Sequence, residues 1–122
     1  MTKRYIPKPI IAACQGRVLG GGVEVVMACD LAVCSTESTF SLPEPRRGLT
    51  AAGGGLLMRI MQMVPQKAAM ELMLTCEPFS AQKALDCFLV NRVVEPDRVL
   101  DEAISLAKLI CKGAPLAVEC TK

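Results

Sequence analysis

The sequence contains no histidine and no tryptophan, and its 122 residues include only three phenylalanines and one tyrosine. Without histidine, no imidazole base is present to activate a serine or cysteine nucleophile. We therefore expect carboxylates and backbone groups to carry any catalytic chemistry. The scarcity of aromatic residues, a net charge of only +2 and the lack of a long basic block argue against a nucleic-acid partner.

Other absences concern membranes and metals. No apolar run approaches the ~18 residues of a spanning helix, and the N-terminal "MTKRYIPKPI" lacks the apolar centre of a secretory signal, so we expect no membrane partner. The seven cysteines include no C-x-x-C pair, so we expect no metal site. Because they are odd in number and lie mostly in apolar segments, we expect buried free thiols and a reducing, cytoplasmic location.

The chain is long and apolar enough to form one packed domain, with 52% hydrophobic residues. Its first fifty residues predict a strand in Pro9–Gly16, a helix from Gly22 to Ala28, and strands in "LAVCS" (31–35) and in Thr39–Leu42. Helical patterns dominate the rest. This order, a strand-helix-strand first half followed by helices, is typical of the α/β class.

Several signals in the second half mark helix boundaries. A glycine-rich turn leads into a helix that ends near Pro65, and this proline opens the next helix. Ser80 is expected to cap a short helix, which is followed by a strand in "VNRVV" (90–94). Asp97 is expected to cap a longer helix that runs to about Cys111.

The stretch "VLGGGVEVVMACDLAV" (18–33) places Glu24 in an apolar run directly after three glycines. If Gly21 is the helix N-cap, Glu24 can accept a hydrogen bond from the N–H of the cap residue. The helix dipole would also stabilise the negative charge of Glu24 at this position. Alternatively, the unpaired N–H groups of the glycines suit a developing oxyanion or a phosphate. Neither a dinucleotide fingerprint nor a P-loop is present. The second interpretation therefore indicates proton transfer beside a carbonyl.

A second carboxylate, Glu44, lies between Pro43 and Pro45 in "FSLPEPRRG" (40–48). We expect the prolines to hold Glu44 stiffly in an extended conformation at the end of a strand. Taken alone, Glu44 could equally be a solvated turn residue paired with one of the two following arginines, an ion pair of little energetic value. Together with Glu24 and the glycines, it fits an acid/base pair.

Four blocks occur in an order and spacing similar to those of the crotonase superfamily: "KPIIAACQGRVLGGGVEVVMACDLAV", "FSLPEPRRGL", "AAGGGLLMRI" and "AMELMLTCEPFSAQKALDCFLVNRVVEP". Within it, the chain most closely resembles enoyl-CoA hydratases, from about Lys8 to the C-terminus. The resemblance implies an α/β, crotonase-like (ClpP/crotonase) partial module. Residues 1–122 would form one partial enoyl-CoA hydratase/isomerase domain.

The resemblance also implies roles for individual residues. The Gly21 N–H would bind the thioester oxygen, Glu24 would help activate a water for attack at Cβ, and Glu44 would exchange a proton with Cα. Substrate contacts are expected from Gly20, Gly22, Leu42 and Pro43. The substrate would be an acyl-CoA thioester, with coenzyme A as part of the substrate and with neither a metal nor a separate cofactor.

The family module is much longer, and this chain resembles roughly its C-terminal half. The resemblance therefore implies that the second oxyanion donor and much of the CoA pocket lie outside this chain, and that hydration is impaired in it. Two alternatives remain open: a related reaction, such as isomerisation or carnitinyl-CoA-type dehydration, or a catalytically silent, self-associating fragment.

Three further expectations concern assembly and context. The family usually forms trimers, so the resemblance implies a homo-oligomer, either a trimer or a hexamer. It also implies a place in fatty-acid β-oxidation. Strands that lack their neighbours would present open edges and apolar surface. We therefore expect the isolated chain to aggregate or to need a partner.

Overall fold

The computed structural model describes residues 6–50 and 52–122; the predicted domain's residues 1–5 and 51 lie outside the described ranges. The strands are β1 (Ile11–Cys14), β2 (Arg17–Leu19), β3 (Leu31–Ser35), β4 (Thr39–Ser41), β5 (Phe79–Ser80) and β6 (Arg92–Val94). The helices are α1 (Gly21–Ala28), α2 (Leu56–Met63), α3 (Gln66–Thr75), α4 (Ala81–Asp86), α5 (Val99–Ile110) and α6 (Pro115–Thr121). Two 3₁₀ turns span Pro45–Arg47 and Pro96–Arg98.

The strands form two three-stranded sheets. One sheet is parallel, in the order β1-β3-β6; in the other, β4 pairs parallel with β2 and antiparallel with β5. Two successive passes of the chain each contribute one strand to each sheet, first β1 and β2, then β3 and β4. The passes are joined where the Thr39 N–H donates to the Gly16 carbonyl at 3.0 Å. This arrangement places the carboxyl ends of β2 and β4 side by side.

Burial on both faces explains the unbroken apolar run of β3. Val33 and Cys34 point to opposite faces of the sheet, and both side chains are fully buried. Cys34 joins the main core, which is shared with α1 to α4, whereas Val33 packs with Val99 and Ala103 of α5. The central strand of this sheet is therefore covered by helices on both sides.

Most of the predicted elements are confirmed. The helix predicted from Gly22 begins one residue earlier, and "LAVCS" (31–35) forms β3 at the predicted bounds. Ser80 caps α4, with its hydroxyl accepting a hydrogen bond from the Lys83 N–H at 3.2 Å. The second half is mostly helical, as predicted, and α2 ends just before Pro65.

Two features differ from the predictions. Asp97 is not the cap of α5, because the 3₁₀ turn that begins at Pro96 already includes it; Arg98 occupies the cap position instead. The strands β2 and β5 were not predicted. They have three and two residues, too few for an alternating pattern to be recognised.

The cysteines are free, and five of the seven are buried, as predicted, whereas Cys111 and Cys120 are exposed. Burial raises the pKa of the Cys34 thiol to about 11 and also raises the pKa of the Cys14, Cys29 and Cys87 thiols. These four thiols are therefore protonated and weakly nucleophilic near neutral pH. Within residues 6–50 and 52–122, no helix has the length and apolar character needed to cross a membrane.

An apolar groove of about 770 Å³ runs between the start of β1, helix α5 and helix α6. Leu100 and Ile104 of α5 line it and remain 64% and 44% exposed. At the end of α6, Lys122 Nζ lies 2.9 Å from Asp30 Oδ2 and donates to the Lys8 carbonyl at 2.9 Å. Among the described strands, β1 pairs with β3 alone. The expected exposed apolar surface is therefore present at this edge.

We expect the isolated chain to self-associate through this groove, because burying the groove removes apolar surface from water. Ile104→Lys should lower the weight-average mass at a given concentration, since the ammonium group would have to be desolvated. Size-exclusion chromatography with light scattering measures this mass. Leu74→Lys is the matched control, because Leu74 is 72% exposed on α3 and lies outside the groove. Equal effects of both variants, or a monomer at every concentration, would contradict the prediction.

Candidate active site

The candidate site lies where β2 and β4 end. Leu19 and Ser41 are register partners at the carboxyl ends of these parallel strands. Beyond them, β2 continues through the glycines 20–22 into α1, and β4 continues into the turn that carries Glu44. The Gly20 N–H donates to the Ser41 carbonyl at 2.9 Å. The glycine turn is thereby fixed against the segment that bears the second carboxylate.

The backbone conformation at Gly20 favours glycine, and the Glu44 carboxylate lies against it. Its backbone angles, φ +48° and ψ −113°, lie in a region that residues with a side chain rarely adopt. A Cβ at this position would also lie only 2.6 Å from Glu44 Oε1. The Glu44 carboxylate therefore packs directly against the backbone of the glycine turn. Gly21 adjoins the other carboxylate: a Cβ there would lie 3.9 Å from Glu24 Oε2.

The predicted extended conformation of Glu44 is wrong. Its backbone is helical, with φ −54° and ψ −48°, and it forms the cap of the 3₁₀ turn Pro45–Arg47. The Glu44 carbonyl accepts hydrogen bonds from the Arg47 N–H at 2.9 Å and from the Leu49 N–H at 3.0 Å. These two bonds outweigh the extended preference of a residue that precedes proline. The side chain is nonetheless held in place, because the turn that carries it is closed.

The alternative interpretation of Glu44, an ion pair with a neighbouring arginine, is not what the structure contains. Arg46 pairs with Glu77 and donates to the Thr75 carbonyl at 2.8 Å. Among the described residues, no cation lies within ion-pair distance of Glu44, and its buried Oε2 atom has no hydrogen-bond partner. The carboxylate borders a cleft of about 340 Å³ lined by Leu19, Gly20, Pro43, Glu44, Arg47 and Leu49.

Glu24 does not form the predicted hydrogen bond to the helix cap. The cap is Gly20 rather than Gly21, so Glu24 is the fourth helical residue, and the Gly20 N–H donates to the Ser41 carbonyl instead. Its Oε1 atom instead accepts a hydrogen bond at 2.9 Å from the N–H of Gly54, in the loop before α2. A shift of one residue at the helix start thus directs the carboxylate to a segment thirty residues away.

Gly54 is a site residue that the sequence did not identify. A Cβ at this position would lie 2.6 Å from Glu24 Oε2 and 2.8 Å from the Glu24 Cβ, so no side chain fits. Its carbonyl accepts a hydrogen bond from Arg59 Nη1 at 2.8 Å. The glycine run predicts only a turn at Gly54. No pattern in the sequence indicates a role for Arg59.

The remaining predicted site residues lie close together but differ in exposure. The N–H groups of Gly21 and Gly22 stand at the start of α1, where the first turn has no intrahelical partners. Within the described part of the chain, neither donates a hydrogen bond. Pro43 borders the cleft, whereas the Leu42 side chain is fully buried in the core beneath it. The two carboxylates therefore lie beside one glycine turn, which also carries the two free N–H groups.

No group of three or more histidine, cysteine, aspartate or glutamate side chains within residues 6–50 and 52–122 is arranged to hold a metal ion. The groups that the described residues bring together at the site are two carboxylates and backbone N–H donors. A carboxylate can accept or deliver a proton, and N–H groups at a helix start can stabilise negative charge on an oxygen atom.

Comparison with known proteins identifies a family and several relatives. A sequence model of the family described as enoyl-CoA hydratase/isomerase matches residues 2–122. The chain is similar to an (E)-benzylidenesuccinyl-CoA hydratase of Thauera aromatica, with 44% identity over 115 residues, covering 94% of this chain and 44% of the relative. It is also similar to a carnitinyl-CoA dehydratase of Salmonella arizonae, with 38% identity over 115 residues and the same coverage.

The fold is also similar to that of solved structures. One is a carnitinyl-CoA dehydratase from Mycobacterium avium 104, with a TM-score of 0.93 and 48% sequence identity. The match covers 98% of this chain and 46% of the solved chain. The chain therefore spans about half the length of the relatives that it matches.

The close packing of Gly54 against Glu24 predicts a specific effect of substitution. Gly54→Ala should lower the free energy of unfolding by about 1–3 kcal/mol, because the methyl group overlaps the Glu24 side chain. Gly53→Ala should change it by only ~0.5 kcal/mol, because nothing lies within 4 Å of a Cβ at that position. Both variants restrict the unfolded chain similarly. Urea unfolding measures the difference, and equal values for the two variants would contradict the packing.

Proposed function

The chain belongs to the enoyl-CoA hydratase/isomerase family, and on this premise we propose that it supplies one side of an active site that adds water across the 2,3 double bond of an enoyl-CoA thioester. Its α/β fold is that of a partial crotonase-like module. The observation that carries the proposal is the placement of Glu24 and Glu44 against successive glycines of one turn.

In this proposal, the two carboxylates divide the proton transfers. The Gly54 N–H holds Oε1 of Glu24, and Oε2 has no hydrogen-bond partner among the described residues. Glu24 accepts a proton from water as the water oxygen attacks Cβ of the thioester. Glu44, whose Oε2 has no partner among the described residues, delivers a proton to Cα. The product gains one water, and return of a proton from Glu24 to Glu44 regenerates the site.

The backbone of the glycine turn would stabilise the negative charge that develops on the thioester oxygen. Gly21 is the first residue of α1, so its N–H lies at the positive end of the helix dipole. A fixed donor at such a position stabilises an enolate-like oxygen more than the neutral carbonyl from which it forms. Because the chain spans only about half the length of its relatives, we propose that the second donor and most of the CoA contacts come from outside it.

A second candidate reaction is dehydration of a 3-hydroxyacyl-CoA of the carnitinyl-CoA type. The similarity to two proteins named carnitinyl-CoA dehydratase favours it. Dehydration is the reverse of hydration, so the same two carboxylates would serve it with their roles exchanged. Analysis of products from enoyl-CoA and 3-hydroxyacyl-CoA substrates separates these reactions from double-bond isomerisation.

We also propose, from the family, that the protein works as a trimer or hexamer in the cytoplasm without a separate cofactor. Fatty-acid β-oxidation is the metabolic context that we propose for it. The exposed apolar groove beside α5 and α6 supports an assembly with further polypeptide, and the lack of a metal-binding cluster in the described part of the chain is compatible with metal-free chemistry.

Hydration of crotonyl-CoA, followed by the loss of enoyl-thioester absorbance, tests the proposal. We expect Glu24→Gln and Glu44→Gln each to lower the rate about 10²–10⁴-fold, because each removes a proton-transfer group while keeping a similar shape. Glu37→Gln is the control, since Glu37 is exposed in the turn after β3. Unchanged rates in both site variants would refute the assigned roles.

A chimera with a longer relative would supply the proposed second donor and CoA contacts, so the test would no longer depend on this chain alone. The 115 residues that match the Thauera aromatica relative would replace the corresponding segment of that protein, and the chimera would be assayed with that enzyme's own substrate. Activity that depends on Glu24 and Glu44 is the expected result. A folded chimera without activity would favour the alternative of a catalytically silent fragment.

The role of the Gly21 N–H can be tested by removing that group alone. Proline is favoured at the first position of a helix, so Gly21→Pro should keep α1 and delete the donor. We expect a rate loss of about 10²–10³-fold in the chimera. Gly21→Ala is the control, because it retains the N–H and its Cβ would make only ordinary contact. A Gly21→Pro rate equal to the control would exclude this donor.

A further inference from the structure

Glu24 reaches Gly54 from one side, and Arg59 reaches the same residue from the other. The Gly54 N–H donates to Glu24 Oε1 at 2.9 Å, while the Gly54 carbonyl accepts a hydrogen bond from Arg59 Nη1 at 2.8 Å. The residue is therefore fixed through both of its backbone polar groups. No other described side chain bonds to the Gly54 carbonyl or to the Glu24 carboxylate.

The position of Arg59 on α2 is electrostatically unfavourable for the helix itself. Helix α2 begins at Leu56, so Arg59 stands near its positive end, and no acidic residue lies in the first turn to offset the charge. Within the described part of the chain, Arg59 also forms no ion pair. The guanidinium group is half-buried and satisfies the loop carbonyl instead.

The loop is shaped around this guanidinium group. Gly55 has a φ of +82°, and a Cβ there would lie 2.9 Å from Arg59 Nη1. Gly54 likewise admits no Cβ, because Glu24 occupies that space. Two consecutive glycines thus allow one loop to contact the arginine on one side and the carboxylate on the other.

We propose that Arg59 is a positioning residue for Glu24. It holds the Gly54 carbonyl so that the Gly54 N–H points at Oε1, and this leaves Oε2 without a hydrogen-bond partner among the described residues. The effect is transmitted through the backbone, because Arg59 and Glu24 do not form an ion pair. Its kinetic consequence rests on the proposed hydration; the geometric claim does not.

The geometry can be tested on the chain itself by NMR of the Gly54 amide. Glu24→Gln replaces the carboxylate acceptor by a neutral one, which weakens the hydrogen bond. The Gly54 amide resonance should then move to higher field, and the size of this shift serves as the reference. We expect Arg59→Met to move the resonance in the same direction and to speed its hydrogen exchange. Arg59→Lys should restore both properties in part, because one donor is sufficient for the observed bond. Arg98→Met is the control at an exposed arginine, in the cap position just before α5.

The kinetic arm uses crotonyl-CoA hydration with the same variants. We expect Arg59→Met to lower kcat about 10–100-fold with little change in KM, because a misplaced base impairs the chemical step rather than binding. Arg59→Lys should recover most of kcat. A merely structural arginine would lower the unfolding midpoint without this kcat-specific loss.

The two arms separate failure of this inference from failure of the proposed function. An inactive unaltered chain counts against hydration by this chain alone, and the Gly54 amide then decides the role of Arg59. A Gly54 resonance that is unchanged in Arg59→Met overturns the positioning role, whatever the activity. Equal losses of kcat in Arg59→Met and Arg59→Lys would also overturn it.

Discussion

The candidate site depends on one hydrogen bond, from the Gly54 N–H to the Glu24 carboxylate. It joins α1, in the first half of the chain, to the loop that begins the helical second half. A half-buried carboxylate requires such a donor, because desolvation without compensation is unfavourable. The contact also requires that Gly54 have no side chain. The same requirement recurs at Gly20 and Glu44, so both carboxylates are packed directly against glycine backbone.

The two carboxylates are nevertheless held in unequal surroundings. Glu24 receives one N–H donor, whereas Oε2 of Glu44 is buried without a partner among the described residues. An unpaired buried oxygen of this kind is unfavourable by about 1–3 kcal/mol. It persists because the turn around it is fixed independently, through the Glu44 carbonyl and its two N–H donors. An exception of this kind to hydrogen-bond satisfaction requires an explanation, and a catalytic role is one such explanation.

The sequence was informative where the signal was local. Glu24 stood out as a charge in an apolar run, and Glu44 as a carboxylate between two prolines, so both were found without the structure. The conformation of Glu44 was predicted wrongly, since hydrogen bonds from Arg47 and Leu49 overrode the local rule. Gly54 was missed as a site residue because its partner lies thirty residues away. No pattern along the chain encodes a contact of this kind.

The placement of the two carboxylates and the exclusion of water from them have separate structural origins. The positions of the carboxylates are set by contacts inside the chain, such as those of Gly54. The surroundings are not, because Gly21 and Gly22 are exposed and their N–H groups donate no hydrogen bond within the described residues. Electrostatic stabilisation is greatest in a site from which water is excluded. The chain therefore holds both carboxylates in place without enclosing them. Under the proposed function, covering the glycine turn should raise the hydration rate without moving either glutamate.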